Sequence, residues 1–351
     1  MSSGFQTSSS RLDGDRANAG KESGHLEHGI RNLKLQGRSL WADAWAQLKR
    51  NRLAMVCMCI VIAYTMMAIY GEAVYRGCWF KDLTPSYQKQ NLEEQYRPPS
   101  FMRLGSVAGR PRPAPSAPEG LKQLLKHPMG TDGLGRDVFQ RLLQGARIAF
   151  QVGIITSLIA IPIGVILGCI AGYFGGRTDD FIVWLYSTFA SIPGLLFILA
   201  IAMVVGKGLL GVYLGIGLTT GVGLCRLIRG EVIKHKSRTY VMAARALGLG
   251  HVRIMFRHIL PNVFHIVIVS FTLRFPAAIS TEVFMSFLGI GVQGEPSWGV
   301  MISNARLRLW HGVWWEMTFV TLAIFGIVLA FNMLGDALRD ALDPRLKTSE
   351  A

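Results

Sequence analysis

The residue types that carry chemistry are present in this chain, but not at the spacing that catalysis or cofactor binding requires. The hexapeptide GIGVQG, Gly289–Gly294, formally matches the GxGxxG dinucleotide fingerprint, yet it follows an apolar run and opens no βαβ unit. The sequence contains no GxxxxGKS/T phosphate loop, no HExxH and no GxSxG, and its five cysteines form no CxxC pair. We therefore expect no catalytic site, no bound cofactor, no metal site and no ATP hydrolysis by this chain alone.

The segment HPMGTDGLGRD, His127–Asp137, is the densest polar motif outside the apolar runs. It is typical of a Gly-rich turn in which Asp137 caps a helix that begins at Val138. A calcium site is the alternative, but the spacing of Asp132 and Asp137 does not match an EF-hand loop. We favour the turn.

Arg274 and Glu282 lie inside a long apolar run, where ionisable side chains are costly and usually face a bundle interior or water. Their separation corresponds to about 12 Å along a helix, so a direct ion pair is not expected unless Pro276 bends the segment. One interpretation is that one of them lines a water-filled pathway or stabilises the packed helix bundle. The other is that they lie nearer the membrane surface and extend towards it. The residues alone leave both open.

The stretch YVMAARALGLGHVRIMFRHILPNV, Tyr240–Val263, is polar and basic within a mostly apolar chain. Good helix formers predict a helix over Val241–Leu247, with Gly248 as its terminator. A second helical stretch, His251–Ile259, is expected to end before Pro261. Small residues on the first helix permit the close approach of another surface. That surface is either anionic lipid or a protein partner, and physical chemistry alone does not separate the two.

The composition places these motifs in a membrane protein. Half of the residues are hydrophobic, only 17% are charged and the mean hydropathy is +0.33, whereas soluble domains have about 25% charged residues. A membrane span needs roughly 20 mostly apolar residues. Six runs qualify: Leu53–Tyr70, Ile148–Phe174, Phe181–Gly206, Gly208–Cys225, Val263–Val292 and Met317–Leu334. We predict an all-α integral membrane protein with six transmembrane helices.

Charge indicates the orientation. Six spans place both termini on one side, and the segment Arg229–Asn262 holds seven Lys or Arg residues against two in Gln293–Glu316. The positive-inside rule then places Arg229–Asn262 and both termini in the cytoplasm, and it explains the net charge of +15 without a nucleic-acid partner.

The predicted organisation has five parts. They are a cytoplasmic tail at 1–52, a first transmembrane helix at 53–72, a Pro-rich extracytoplasmic loop at 73–142, a five-helix core at 143–338 that includes the basic segment 229–262, and a cytoplasmic tail at 339–351.

The Tyr240–Val263 stretch resembles the EAA signature of ABC importer permeases, EAA-x3-G-x9-I-x-L-P. The matching residues are Ala243, Ala244, Gly248, Leu260 and Pro261. His258 stands where the signature has Ile, as is common in the peptide-importer branch. The segments HPMGTDGLGRD, RHILPN, FLGIGVQGEPSWG and GDALRDALDPR also resemble the oligopeptide, dipeptide and nickel branch, and Leu35–Ala54 is similar to the C-type permease subunit of oligopeptide importers.

This resemblance extends from Leu35 to Arg345 and implies a type I ABC importer permease fold with a cytoplasmic coupling helix. Such a subunit pairs with a homologous permease in the bacterial inner membrane, contacts membrane lipid, and receives oligopeptides from an extracytoplasmic peptide-binding protein. Two ATP-binding subunits dock beneath it and use ATP and Mg. A same-branch permease for dipeptides, nickel or another small solute is the nearest alternative.

Two alternatives belong to other classes. A secondary transporter that needs no ATPase predicts inverted repeats and unwound helices at the membrane midplane, and the sequence displays neither. A membrane-anchored scaffold would use the Pro-rich loop as its working part and would tolerate changes at Gly248.

The resemblance assigns ATPase coupling to seven residues: Met242, Ala243, Ala244, Gly248, His258, Leu260 and Pro261. Met242 is the departure, because the family usually has Glu at this position to pair with a basic group on the ATPase. That contact is expected to be absent here or replaced by apolar packing. Since an exposed ion pair contributes only about 0–1 kcal/mol, docking is expected to survive the change.

Overall fold

The computed structural model describes residues 40–80, 85, 87–100, 102 and 127–342. Most of the predicted N-terminal tail, the Pro-rich segment at 110–118 and the last nine residues lie outside the described residues. Ten helices form the described part: α1 Leu40–Arg50, α2 Arg52–Trp79, α3 Val138–Phe174, α4 Gly176–Ala190, α5 Gly194–Val205, α6 Leu209–Lys236, α7 Thr239–Ala246, α8 His251–Phe287, α9 Trp298–Arg306 and α10 Trp315–Leu342. Among these residues strand pairing is limited to one bridge between Thr131 and Asp137.

Five helices, α2, α3, α6, α8 and α10, are long and apolar enough to cross a membrane. The apolar run Phe181–Gly206 is not one straight span, because α4 and α5 meet at 89°. Pro193 stands immediately before α5, where its fixed φ and missing N–H are compatible with a helix start. The pair is a broken span or a re-entrant loop, and the described residues contain up to six membrane spans when it is counted as one. The all-α membrane fold is confirmed.

Helix α3 is the central element and packs closely on α6. Glycines recur every fourth residue on its facing side, at Gly164, Gly168 and Gly172. A Cβ at any of them would lie less than 3.0 Å from an atom of α6. Small residues at this spacing let two helix backbones approach closely, as is common in membrane bundles. The α3–α6 pair therefore forms the frame that supports the segments at both ends of the bundle.

The predicted cap at Asp137 is confirmed, and it lengthens α3 beyond the apolar run. Oδ1 of Asp137 accepts hydrogen bonds from the backbone N–H groups of Phe139 and Gln140, at 2.8 and 3.2 Å. These bonds satisfy two of the donors that a helix start leaves unpaired. Helix α3 therefore begins at Val138, before the apolar run that starts at Ile148.

The expectation that the helix starting at His251 ends before Pro261 is wrong. Helix α8 continues past Pro261, with a π-helical stretch at Ile254–Ile259 and a regular α-helical part at Leu260–Phe287. Pro261 occupies the first turn of that regular part, where a backbone N–H is not needed. The π-helical stretch directly before this part has wider turns, with hydrogen bonds between residues i and i+5. The second half of the basic segment is thus rigidly continuous with a membrane helix.

Candidate functional site

The basic segment, Arg229–Asn262, contains a sharply defined turn between α7 and α8. Gly248 has φ +72°, its N–H donates to the Arg245 carbonyl at 2.9 Å, and the Leu249 N–H donates to the Ala244 carbonyl at 3.2 Å. This is the Schellman pattern, which needs a left-handed residue where Gly248 stands. No atom lies within 4 Å of a Cβ built at Gly248, so backbone conformation alone favours glycine there. The predicted terminator is confirmed as a structural feature.

Helix α7 has one buried and one exposed face. Val241 and Ala244 are buried in a cluster that includes Cys169 of α3, Ile228 of α6 and Ile254 of α8. The opposite face carries three exposed residues. Met242 and Ala243 belong to the predicted coupling residues, and Leu247 precedes Gly248, which is another of them. Met242 is 53% exposed and Leu247 is 80% exposed. The buried face fixes α7 to three membrane helices, and the other face is left apolar and uncovered.

The start of α8 extends this apolar surface. Val252 is 64% exposed and Phe256 is 41% exposed. They line an open cleft of about 1030 Å³ together with these residues: Phe174, Gly250, His251, Arg253, Arg257 and Pro261. Of the remaining predicted coupling residues, His258 and Leu260 are half-buried beside this cleft. The seven predicted coupling residues thus lie on α7, at the Gly248 turn and on the first turns of α8.

Tyr173, near the end of α3, contacts two residues of the basic segment. Its hydroxyl lies 3.0 Å from Nδ1 of His251, and the guanidinium of Arg245 lies 5.2 Å from its ring centroid. These contacts join α3 to both halves of the turn. Sequence analysis missed Tyr173, although a polar hydroxyl at the end of an apolar run was a usable indication of an interfacial contact.

Two further polar contacts fix the helices that lead into the basic segment. Arg229 of α6 donates from two guanidinium nitrogens to Asp179 of α4, at 2.5 and 2.6 Å. The Tyr240 hydroxyl lies 2.7 Å from Nδ1 of His235. Partial burial raises the pKa of the Tyr240 phenol. The fork-shaped Arg–carboxylate pair holds α4 in a fixed orientation against α6.

Arg274 and Glu282 lie on the same helix but do not contact each other. The Arg274 side chain is half-buried, and its Nη1 donates to the Thr220 carbonyl of α6. Glu282 is only 1% exposed and accepts a hydrogen bond from the Ser286 hydroxyl at 2.7 Å. The Ser286 oxygen in turn accepts from the Val292 N–H at 2.9 Å. Glu282 therefore fixes the loop after α8, whereas Arg274 faces a cleft beside α6.

The His127–Asp137 motif forms a buried ion-pair cluster at the opposite end of α3 from the basic segment. One carboxylate oxygen of Asp137 lies 2.8 Å from Nδ1 of His127, and a carboxylate oxygen of Glu94 lies 3.0 Å from Nε2 of the same ring. Oδ1 of Asp132 accepts from the N–H groups of Leu134 and Arg136, both at 2.9 Å. Protein groups therefore contact the carboxylates considered as calcium ligands, which agrees with the turn interpretation.

Two family matches cover most of the chain. The family described as "binding-protein-dependent transport system inner membrane component" matches residues 164–348. The family described as "N-terminal TM domain of oligopeptide transport permease C" matches residues 39–99. The first match includes α6, α7, α8 and the whole basic segment.

Curated relatives match over nearly the full length. A Bacillus subtilis dipeptide transport permease, DppC, is 37% identical over 90% of this chain and 89% of its own length, and the oligopeptide permease OppC of the same organism is 34% identical over 88% and 91%. A glutathione transport permease, GsiD, of Pectobacterium atrosepticum is 40% identical over 63% of this chain and 74% of its own. The solved methionine ABC transporter MetNI aligns with a TM-score of 0.45 at 16% identity, over 58% of this chain and 93% of that one. The chain belongs to the family of inner-membrane components of binding-protein-dependent transport systems, and it is a permease subunit of an ABC importer.

Proposed function

We propose that the basic segment is the surface on which an ATP-binding subunit docks, and that it transmits ATP-driven motion to the membrane helices. The observation that carries this proposal is the uncovered apolar face formed by four residues: Met242, Leu247, Val252 and Phe256. Such a face, flanked by Arg245 and Arg253, is typical of a protein interface with a hydrophobic centre and a charged rim. Apolar packing through Met242 replaces the family's usual ion pair.

The buried side of the segment supports a mechanical role. Val241, Ala244 and Ile254 pack into one cluster with residues of α3 and α6, and α8 continues from the turn without a break. A displacement of α7 therefore moves three membrane helices together, because a packed cluster deforms little internally. This is the geometry needed for rigid-body alternating access driven from a distant nucleotide site.

We further propose short peptides as the cargo. The three relatives are named for dipeptide, oligopeptide and glutathione transport, and glutathione is itself a small peptide. Their shared chemistry is a short chain with amide groups and a carboxylate. Peptide length is left open by these names. Cargo choice is assigned to the binding protein that delivers the peptide.

The assembly that follows contains a homologous permease as heterodimer partner, two ATP-binding subunits and an extracytoplasmic peptide-binding protein. ATP and Mg are used by the ATP-binding subunits. We place the chain in the bacterial inner membrane with both termini and the basic segment in the cytoplasm. The ion-pair cluster then lies on the extracytoplasmic side, since it sits at the other end of α3.

A charge placed on the uncovered face tests the docking proposal. We expect Leu247→Glu to abolish co-purification of the ATP-binding subunits and peptide uptake, while membrane insertion is unchanged because the side chain makes little contact within this chain. Leu307→Glu is the matched control, since Leu307 is 67% exposed beyond the last residue of α9. Normal subunit association and uptake in Leu247→Glu would remove the support for docking at this face.

A further inference from the structure

A mostly apolar cleft that contains two arginines lies beside the break between α4 and α5. It has a volume of about 400 Å³ and is walled by α4, α5, α6 and α8. The residues that line it include Phe197, Thr219, Thr220, Gly223, Arg226 and Arg274. The cleft is therefore bounded by the bent membrane segment and by both helices that flank the basic segment.

Two guanidinium groups line this cleft without an acidic partner. Arg274 is held by the Thr220 carbonyl, and its Nη2 would lie 3.3 Å from a Cβ at Gly223, so the glycine leaves the guanidinium room. Arg226 is exposed, with its guanidinium carbon 5.2 Å from the Tyr186 ring centroid. Within the described part of the chain neither arginine pairs with a carboxylate. The cleft thus has an uncompensated positive charge.

Both arginines lie at membrane depth. Arg226 is three residues before Arg229, where the basic segment begins, which corresponds to about 4.5 Å along α6. Arg274 is eleven residues after Val263 on the antiparallel helix α8, or about 16 Å. Arg274 therefore falls near the middle of a hydrocarbon layer that is about 30 Å thick, whereas Arg226 lies nearer the end of the layer that adjoins the basic segment. Charged groups at this depth face water or an anion in preference to lipid.

A third group in the cleft has an unused hydrogen bond. The Thr219 hydroxyl oxygen is buried and has no hydrogen-bond partner within the described structure. Buried polar atoms are almost always paired, so the Thr219 hydroxyl is available to a ligand that enters the cleft. The Thr219 hydroxyl can donate to an anionic oxygen, as both guanidinium groups do.

We propose that this cleft binds the C-terminal carboxylate of a peptide during its passage through the membrane. The proposal rests on the function proposed above, namely peptide cargo. A carboxylate carries a single negative charge and accepts up to four hydrogen bonds, which suits two guanidinium forks and a hydroxyl. The apolar wall at Phe197 and Phe189 suits the adjoining side chain. Arg226 and Arg274 are then binding residues of the transport pathway.

Direct binding tests this site. The complete importer, without its binding protein, is placed in lipid nanodiscs, and the binding of tritiated trialanine is compared between the free acid and the C-terminal amide. We expect the free acid to bind about tenfold more tightly, since charge-assisted hydrogen bonds are the stronger ones. Arg274→Gln and Arg226→Gln are expected to remove this preference, and Arg274→Lys to restore part of it. Lys207→Gln, at an exposed position outside the cleft, is expected to retain it.

Equal binding of acid and amide by the unmodified importer overturns the proposal, as does a failure of the free acid to bind. An equal loss of both peptides in Arg274→Gln overturns it too, because that result marks a structural role or a bound lipid phosphate. Peptide uptake by the complete system with its binding protein distinguishes a failure of the carboxylate site from a failure of the proposed peptide cargo. Uptake without any acid preference removes only the carboxylate site, whereas the absence of peptide uptake removes the peptide cargo itself.

Discussion

The Tyr173 hydroxyl lies 3.0 Å from Nδ1 of His251, so the end of α3 is joined directly to the first residue of α8. These residues are 78 positions apart in the chain. The same ring contacts the guanidinium of Arg245 at 5.2 Å. One tyrosine therefore connects the central membrane helix to both sides of the Gly248 turn. A force applied to the turn reaches α3 through this contact as well as through α8.

We expect Tyr173→Phe to lower the amount of peptide transported per ATP hydrolysed. The change removes the hydrogen bond to His251, which contributes about 1 kcal/mol, but keeps the ring that Arg245 contacts. Tyr173→Ala is expected to be more severe, because loss of a buried aromatic ring costs about 3–5 kcal/mol. Uptake and ATP turnover are measured together in proteoliposomes. An unchanged ratio in Tyr173→Phe would show that this contact has no role in coupling.

Gly248 provides a test that separates backbone conformation from space. At φ +72° a β-branched residue is strained, whereas Asn adopts this region more readily. We expect Gly248→Val to destabilise the turn by about 1–3 kcal/mol and to impair uptake strongly, with Gly248→Asn much closer to the unmodified protein. Uptake rates and subunit association report the difference. Equal effects of Val and Asn would contradict a conformational requirement.

Arg147 connects three parts of the bundle. Its Nε lies 2.7 Å from Glu72 of α2, its Nη1 lies 2.8 Å from Glu295 in the loop after α8, and its guanidinium lies 3.6 Å from the Tyr75 ring centroid. Its side chain is 6% exposed. We expect Arg147→Gln to destabilise the protein by about 3 kcal/mol, since it removes a buried charge that joins two carboxylates and leaves Glu295 without this partner.

Arg76→Gln is the matched control for that variant. Arg76 pairs with the same Glu72 at 2.6 Å, but its side chain is 71% exposed. An exposed pair contributes about 0–1 kcal/mol, so this variant is expected to retain stability. The unfolding temperature of each variant is measured in detergent. The reaction of a thiol dye with the buried Cys169 and Cys225 reports unfolding. Similar losses for the two variants would refute the assigned importance of burial.

Asp137 has two separable functions. One carboxylate oxygen caps α3, and the other contacts His127 at 2.8 Å. Asp137→Asn keeps a capping oxygen and weakens the His127 contact, whereas Asp137→Ala removes both. We expect Asp137→Ala to lower the unfolding temperature more, with the cap alone contributing about 1 kcal/mol. If Asn and Ala are equally destabilising, the cap is not a source of stability here.

Local features of this fold follow directly from short stretches of sequence. The cap at Asp137 and the turn at Gly248 each depend on a few consecutive residues, so residue type and position were sufficient to predict them. The break between α4 and α5 was hidden inside one apolar run, because hydropathy measures burial in lipid and not helix direction. Pro193 and Gly194 are its local marks in the sequence.

Contacts between distant segments were not predictable in this way. Arg274 meets the Thr220 carbonyl across 54 residues, and Tyr173 meets His251 across 78, so neither partner could be named before the helices were packed. Pro261 illustrates the opposite error. The sequence predicts a helix end before it, but α8 continues through a π-helical stretch, and such a stretch leaves no clear mark in the sequence.

Site-specific photo-crosslinking tests the central claim most directly, because it separates a protein partner from lipid on the exposed face of the turn. A photoreactive benzoylphenylalanine is placed at Leu247 or, as the control, at Leu307, in cells that express the whole importer. The account predicts a cross-link between position 247 and an ATP-binding subunit, stronger when ATP is bound, and none from position 307. A cross-link from position 247 only to lipid would contradict it.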